Sequence, residues 1–143
     1  MLTALIALSI AAAFTGAAIY VAVAEQPARL ALDDGAALAQ WKPSYTRGKY
    51  MQASLALAGS LIAFWAWWRS GNGLWLAGGL LLLAGWPVTL ILIMPVNRRL
   101  EAADAAGPDT RVLLVRWGRL HLIRAALGAA AFFVMLAGFV CRL

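Results

Sequence analysis

The sequence predicts an all-α integral membrane fold: a transmembrane four-helix bundle running up-down-up-down, with two helices extended beyond the membrane on one side. Hydrophobic residues make up 64% of the chain and charged ones 13%, and the mean hydropathy of +0.80 lies outside the range of a water-soluble domain. Four apolar segments, at 2–24, 50–68, 74–95 and 118–140, come near the roughly 20 residues needed to cross about 30 Å of hydrocarbon. A chain of 143 residues leaves room for one domain, 1–143.

The first segment ends in "AVA", which resembles a leader-peptide cleavage site, but it lacks a basic start and its apolar run is too long, so a retained helix is expected. Ala12 with Gly16, and Ala13 with Ala17, are pairs of small residues that would let another helix approach closely. Pro27 is expected to stop this helix. The following "DDGAALAQW" reads as a short surface helix capped by Asp33 or Asp34. Pro43 then suits the first turn of a new helix that enters the membrane through Met51.

Tyr50 and the Trp67–Trp68 pair bracket the second segment as interface anchors, and Trp75 is read the same way at the start of the third. The turn "RSGNG" between these segments is short enough to make them antiparallel neighbours. Pro87 removes a backbone donor from the third helix and should kink it, with Thr89 helping to satisfy the freed groups. That helix is expected to run to about Ala105, and the fourth to begin near Asp109 after the breaker "GPDT".

The charges sort by loop. Nine of the 12 Lys and Arg residues fall within 25–49 and 95–119, whereas Arg69 and Arg142 mark the opposite side. The positive-inside rule puts the long loops in the cytoplasm and both termini outside, in a bacterial inner membrane. The net charge of +6 thus serves topology, and nucleic acid is not an expected partner. The single cysteine, Cys141, cannot cycle a dithiol pair, which excludes four-helix thiol oxidoreductases as models.

At 100° per residue, Trp117, His121, Arg124 and Gly128 form one narrow stripe, while Arg116 and Arg119 fall off it towards headgroups. Glu25 at the end of the first helix, Trp41, Arg47 and Tyr50 before the second, and Asn97 after the third belong to the same membrane face. Ionisable groups at such depth turn to the bundle interior or a water-filled cavity and pair there. Two readings follow from the residues alone: a structural ion pair of Glu25 with Arg124 or Arg47, or a pocket. A metal bound by Glu25, His121 and Asn97 is a weaker reading, because one histidine falls short of the two-His-one-carboxylate set.

"AEQPARL", "WKPSYTRGKYMQ", "MPVNRRL" and "RWGRLHLIR" resemble, in order and spacing over nearly the whole chain, the small four-helix membrane proteins of the anthrone oxygenase-like family. Glu25, Pro27, Trp41, Pro43, Arg47, Pro95, Asn97, Trp117, His121 and Arg124 fall on its recurrent positions. The resemblance implies oxidation of a polyketide-type anthrone to a quinone by molecular oxygen without a cofactor. His121 or Glu25 would be the general base, and Arg124 or Arg47 with Asn97 would hold the enolate oxygen. Trp41 and Trp117 would stack on the flat substrate, with Tyr50 completing the binding set. Expected partners are the bilayer, a lipophilic small molecule and further copies of the chain. Two other classes fit the same residues: a binding or transport protein for lipophilic anions or quinones, and a structural subunit without catalysis.

Overall fold

A computed structural model describes residues 2–141. Among them the chain is all-helical, without strands, in four long helices. We number these α1 (Leu2–Leu30), α2 (Asp34–Ser70), α3 (Gly73–Ala102) and α4 (Thr110–Val140). Arg142, expected to mark one side together with Arg69, lies outside the described residues. α1, α3 and α4 are long and apolar enough to cross a membrane, consistent with an integral membrane protein. α2 is not among them, because Gln52, Ser54 and Ser60 dilute its apolar stretch.

Four prolines, Pro27, Pro43, Pro87 and Pro95, lie within helices rather than at their ends. Pro27 does not stop α1: the turn Val21–Glu25 widens to a π-helix in which the Gln26 N–H donates to Val21 O, and helix resumes as far as Leu30. A proline ring in a regular α-helix strikes the carbonyl four residues back, and the wider turn gives that ring room. α3 repeats the device, with a π-helical turn at Thr89–Ile93 and the Met94 N–H on Thr89 O just before Pro95. Pro43 does not start a new helix either. It sits inside α2, which is continuous from the Asp33 cap, whose side chain accepts from the Ala36 N–H at 3.0 Å.

Around Pro87, α3 is interrupted at Ala84, and Thr89 Oγ1 donates to Gly85 O at 2.7 Å, as its position suggested. α3 ends at Ala102, three residues short of the expected Ala105, and α4 begins at Thr110. Between α2 and α3, Gly71 adopts φ 67°, a left-handed conformation that closes the helix at little cost only for glycine.

α1 packs against α2 and α4, and α3 against the same two helices, which closes a ring. Small residues set the spacing. The buried stripe of α1 is Ala4, Ala7, Ala11 and Ala18. Ala12, Ala13 and Gly16 are exposed, so the expected small-residue pairs lie off the contact face. On the facing helices, a Cβ at Gly59 would come 2.7 Å from Leu82, one at Gly78 2.5 Å from Met135, and one at Gly128 2.8 Å from the Phe14 ring. Lipid tails supply no hydrophobic drive between helices, so close van der Waals packing of this kind holds the bundle. Trp75 is fully buried and not an interface anchor, because Gly138 opposite it leaves room for the indole. Trp68, by contrast, is exposed.

This packing makes a test. Gly78→Leu forces Met135 and the α4 backbone away and should cost about 1–3 kcal/mol. Gly73→Ala, in open space at the start of α3, should be neutral. Thermal unfolding in detergent separates the two.

Candidate functional site

The site begins with an aromatic ladder. Because α2 runs unbroken through Pro43, Trp41, Tyr45, Lys49 and Gln52 share one face. Trp41 stacks on Tyr45 (centroids 4.7 Å, planes 5° apart) and meets Trp117 of α4 edge-on (5.9 Å, 88°). Trp117 in turn stacks on His121 at 5.2 Å and 17°. From α3, the completely buried Asn97 donates through Nδ2 to the Tyr45 hydroxyl at 2.9 Å. Burial pushes the Tyr45 phenol above its ordinary range, so it stays protonated at neutral pH.

Next to this ladder lies a buried charge. The Arg29 side chain, 1% exposed, lies over Trp117 with its guanidinium carbon 5.3 Å from the ring centroid. It donates through Nη2 to Glu25 Oε1 at 2.6 Å, through Nη1 to Gln26 Oε1 at 2.5 Å, and through Nε to Gln40 Oε1. Glu25 also accepts from Gln40 Nε2 at 3.1 Å and from the Ser44 hydroxyl. Gln26 Nε2 donates to Leu114 O at 2.8 Å against Gly118, where a Cβ would strike the amide at 2.8 Å. The network thus ties the end of α1 to α2 through Gln40 and Ser44 and to α4 through Leu114 O.

Beside these groups opens a cavity of about 460 Å³ with walls from all four helices: Gly16, Tyr20 and Glu25 of α1, Tyr45 and Gln52 of α2, Asn97 of α3, and Trp117, His121 and Arg124 of α4. The Trp117–His121–Arg124–Gly128 stripe faces inward, and Arg116 and Arg119 are exposed. The Nε2 of His121 lies 3.2 Å from Ala18 O. A carbonyl only accepts, so this nitrogen carries the proton, and in the neutral ring Nδ1 is left as the basic atom. Arg124 has neither an ion-pair partner nor a hydrogen bond among the described residues, its Nε is fully shielded, and its guanidinium carbon lies 6.0 Å from the Phe14 centroid.

A second, more apolar cavity of about 200 Å³, between α2 and α3, shares Tyr45, Lys49 and Arg124 with the first. The guanidinium therefore stands where the two spaces meet.

Of the residues expected at the site, His121, Arg124, Asn97 and Trp117 line the larger cavity, and Glu25 reaches its edge. Glu25 pairs with Arg29, not with Arg124 or Arg47 as the ion-pair reading had it. Arg47 and Tyr50 are exposed, because the inner face of α2 is taken by Tyr45, Lys49 and Gln52. Trp41 is completely buried, between Tyr45 and Trp117, and leaves the aromatic wall to Tyr45. Among the described residues no three His, Cys, Asp or Glu side chains gather as a metal-binding group.

Four buried residues at the site, Arg29, Gln26, Tyr45 and Gln52, were not expected there. For the α2 pair the signal was the 41–45–49–52 spacing, visible once the helix is taken through Pro43. For the α1 pair it was hidden by reading Pro27 as a stop.

The network sets a stability test. Glu25→Ala leaves the buried Arg29 guanidinium without its countercharge and should cost roughly 3 kcal/mol. Glu25→Gln keeps an acceptor and should cost less. Denaturant unfolding of both variants in detergent gives the comparison.

Comparison with curated proteins and with solved structures finds no match. A family model described as "Anthrone oxygenase" matches residues 41–134, a stretch that carries Tyr45, Gln52, Asn97, Trp117, His121 and Arg124. On that match, the chain belongs to the anthrone oxygenase family.

Proposed function

We propose that this chain is a cofactor-independent oxygenase that converts an anthrone-type aromatic ketone to a quinone with molecular oxygen. The observation that carries the reading is Arg124, a permanent cation in the wall of a bundle cavity, part-buried with its Nε fully shielded and not answered by any carboxylate among the described residues. An unpaired buried charge is costly, and it is justified where a ligand's negative charge answers it. The family match adds an acidic ketone as the source of that charge.

In this mechanism neutral His121, through Nδ1, takes a proton from the methylene carbon, and the electron pair moves onto the ketone oxygen. Arg124 holds the resulting enolate oxygen, with the Tyr45 hydroxyl as a second donor. The enolate passes one electron to dioxygen, the two radicals combine to form the carbon–oxygen bond, and the peroxide takes back the proton held by His121. Loss of the remaining hydrogen from that carbon as a proton breaks the O–O bond. Hydroxide leaves and becomes water with that proton. Dioxygen is the only oxidant, with one atom ending in the quinone and the other in water.

The reading takes the helices as an up-down-up-down bundle, with their Lys- and Arg-rich ends in the cytoplasm and the substrate entering sideways from lipid. Binding of a lipophilic anion without chemistry would use the same guanidinium. The carboxylate that would couple its movement to protons is already committed to Arg29, which favours chemistry over proton-coupled transport.

Purified protein supplied with anthrone and oxygen should form quinone. His121→Ala should slow turnover by about 10²–10⁴-fold, and Arg124→Ala by about 10²–10³-fold. Glu25→Gln should change it little. Equal rates in wild type and all three variants would remove the oxygenase reading.

A further inference from the structure

The larger cavity has a second set of unanswered groups, and these are acceptors. Gln52, 3% exposed, and Asn97, fully buried, both line it, and neither Gln52 Oε1 nor Asn97 Oδ1 has a hydrogen-bond partner among the described residues. They come from different helices, α2 and α3, so no single local distortion accounts for both. Arg124 is a donor without an acceptor, and the two amides are acceptors without donors.

Among the described residues no hydrogen bond joins the two orphan types. A ligand carrying only a ketone or enolate oxygen answers Arg124 and offers neither carbonyl a donor, at the desolvation cost of each. One that also carries a hydroxyl answers both.

We infer that Gln52 and Asn97 determine specificity at this site by requiring a free hydroxyl on the ligand. The substrate class is then a flat aromatic ketone with at least one unmethylated phenolic O–H set apart from the oxygen held by Arg124. This rests on the site assigned above but not on its turnover. Sites built to bond a hydroxyl reject analogues that lack it far more strongly than apolar pockets reject a missing methylene.

The test is anaerobic binding to the whole protein in detergent, followed by tryptophan fluorescence, with dihydroxyanthrone, its dimethyl ether and unsubstituted anthrone as probes. Wild type should bind the dihydroxy compound at least roughly tenfold more tightly than either of the others. Gln52→Leu should bring that ratio to within about threefold, mainly by weakening the hydroxylated ligand. Gln52→Glu keeps an acceptor and should keep the preference, and Asn97→Leu gives an independent second arm should one variant not fold.

Equal affinities in wild type, no binding of any probe, or full discrimination in both leucine variants would overturn the inference. A protein that discriminates but forms no quinone would instead overturn the oxygenase reading alone. One that oxidises all three probes after binding them equally would do the reverse.

Discussion

A guanidinium withdrawn from water has to be answered by something, and the site of this protein is organised around two arginines that are answered differently. Arg29 is neutralised by Glu25 and spends its remaining donors on Gln26 and Gln40. That arrangement is complete, and it locks the end of α1 to α2 and α4. Arg124 has no counterion among the described residues and stands where two cavities meet. The first arginine is structural because its contacts are satisfied. The second is free to act because its contacts are not.

Prolines make this division possible. In both α1 and α3 a widened turn precedes the proline, at Val21–Glu25 and Thr89–Ile93. An extra residue in a turn rotates everything after it relative to a regular α-helix. The groups beyond each widened turn, Gln26 and Arg29 in one helix and Asn97 in the other, are all buried against α2 or α4. The same device thus brings a polar residue from each of two helices into the wall of one site.

The rest of the bundle keeps the cavity from closing. Ala4, Ala7, Ala11, Gly59, Gly78 and Gly128 allow close packing away from the site, while Trp41, Tyr45 and Trp117 brace one another beside it. A rigid aromatic ladder next to tightly packed small residues resists collapse into the space between. His121 is fixed in this frame by its stack on Trp117 and its bond to Ala18 O, so its basic nitrogen is oriented before any ligand arrives.

The sequence by itself determined the helical membrane class, the approximate limits of the helices and the inward stripe of Trp117, His121 and Arg124, because composition and a 100° step are local properties of one segment. It also pointed to Asn97 and Glu25 as members of the polar layer. Tertiary structure alone decided who partners whom. Glu25 went to Arg29 because α1 continues past Pro27, Arg47 and Tyr50 faced outward because Tyr45, Lys49 and Gln52 took the inner face of α2, and Trp75 became core because Gly138 stood opposite. Each of these outcomes depends on the rotation of one helix against another. That rotation is set by widened turns and by small residues on a neighbouring chain segment, and neither can be read from the periodicity of the helix being rotated.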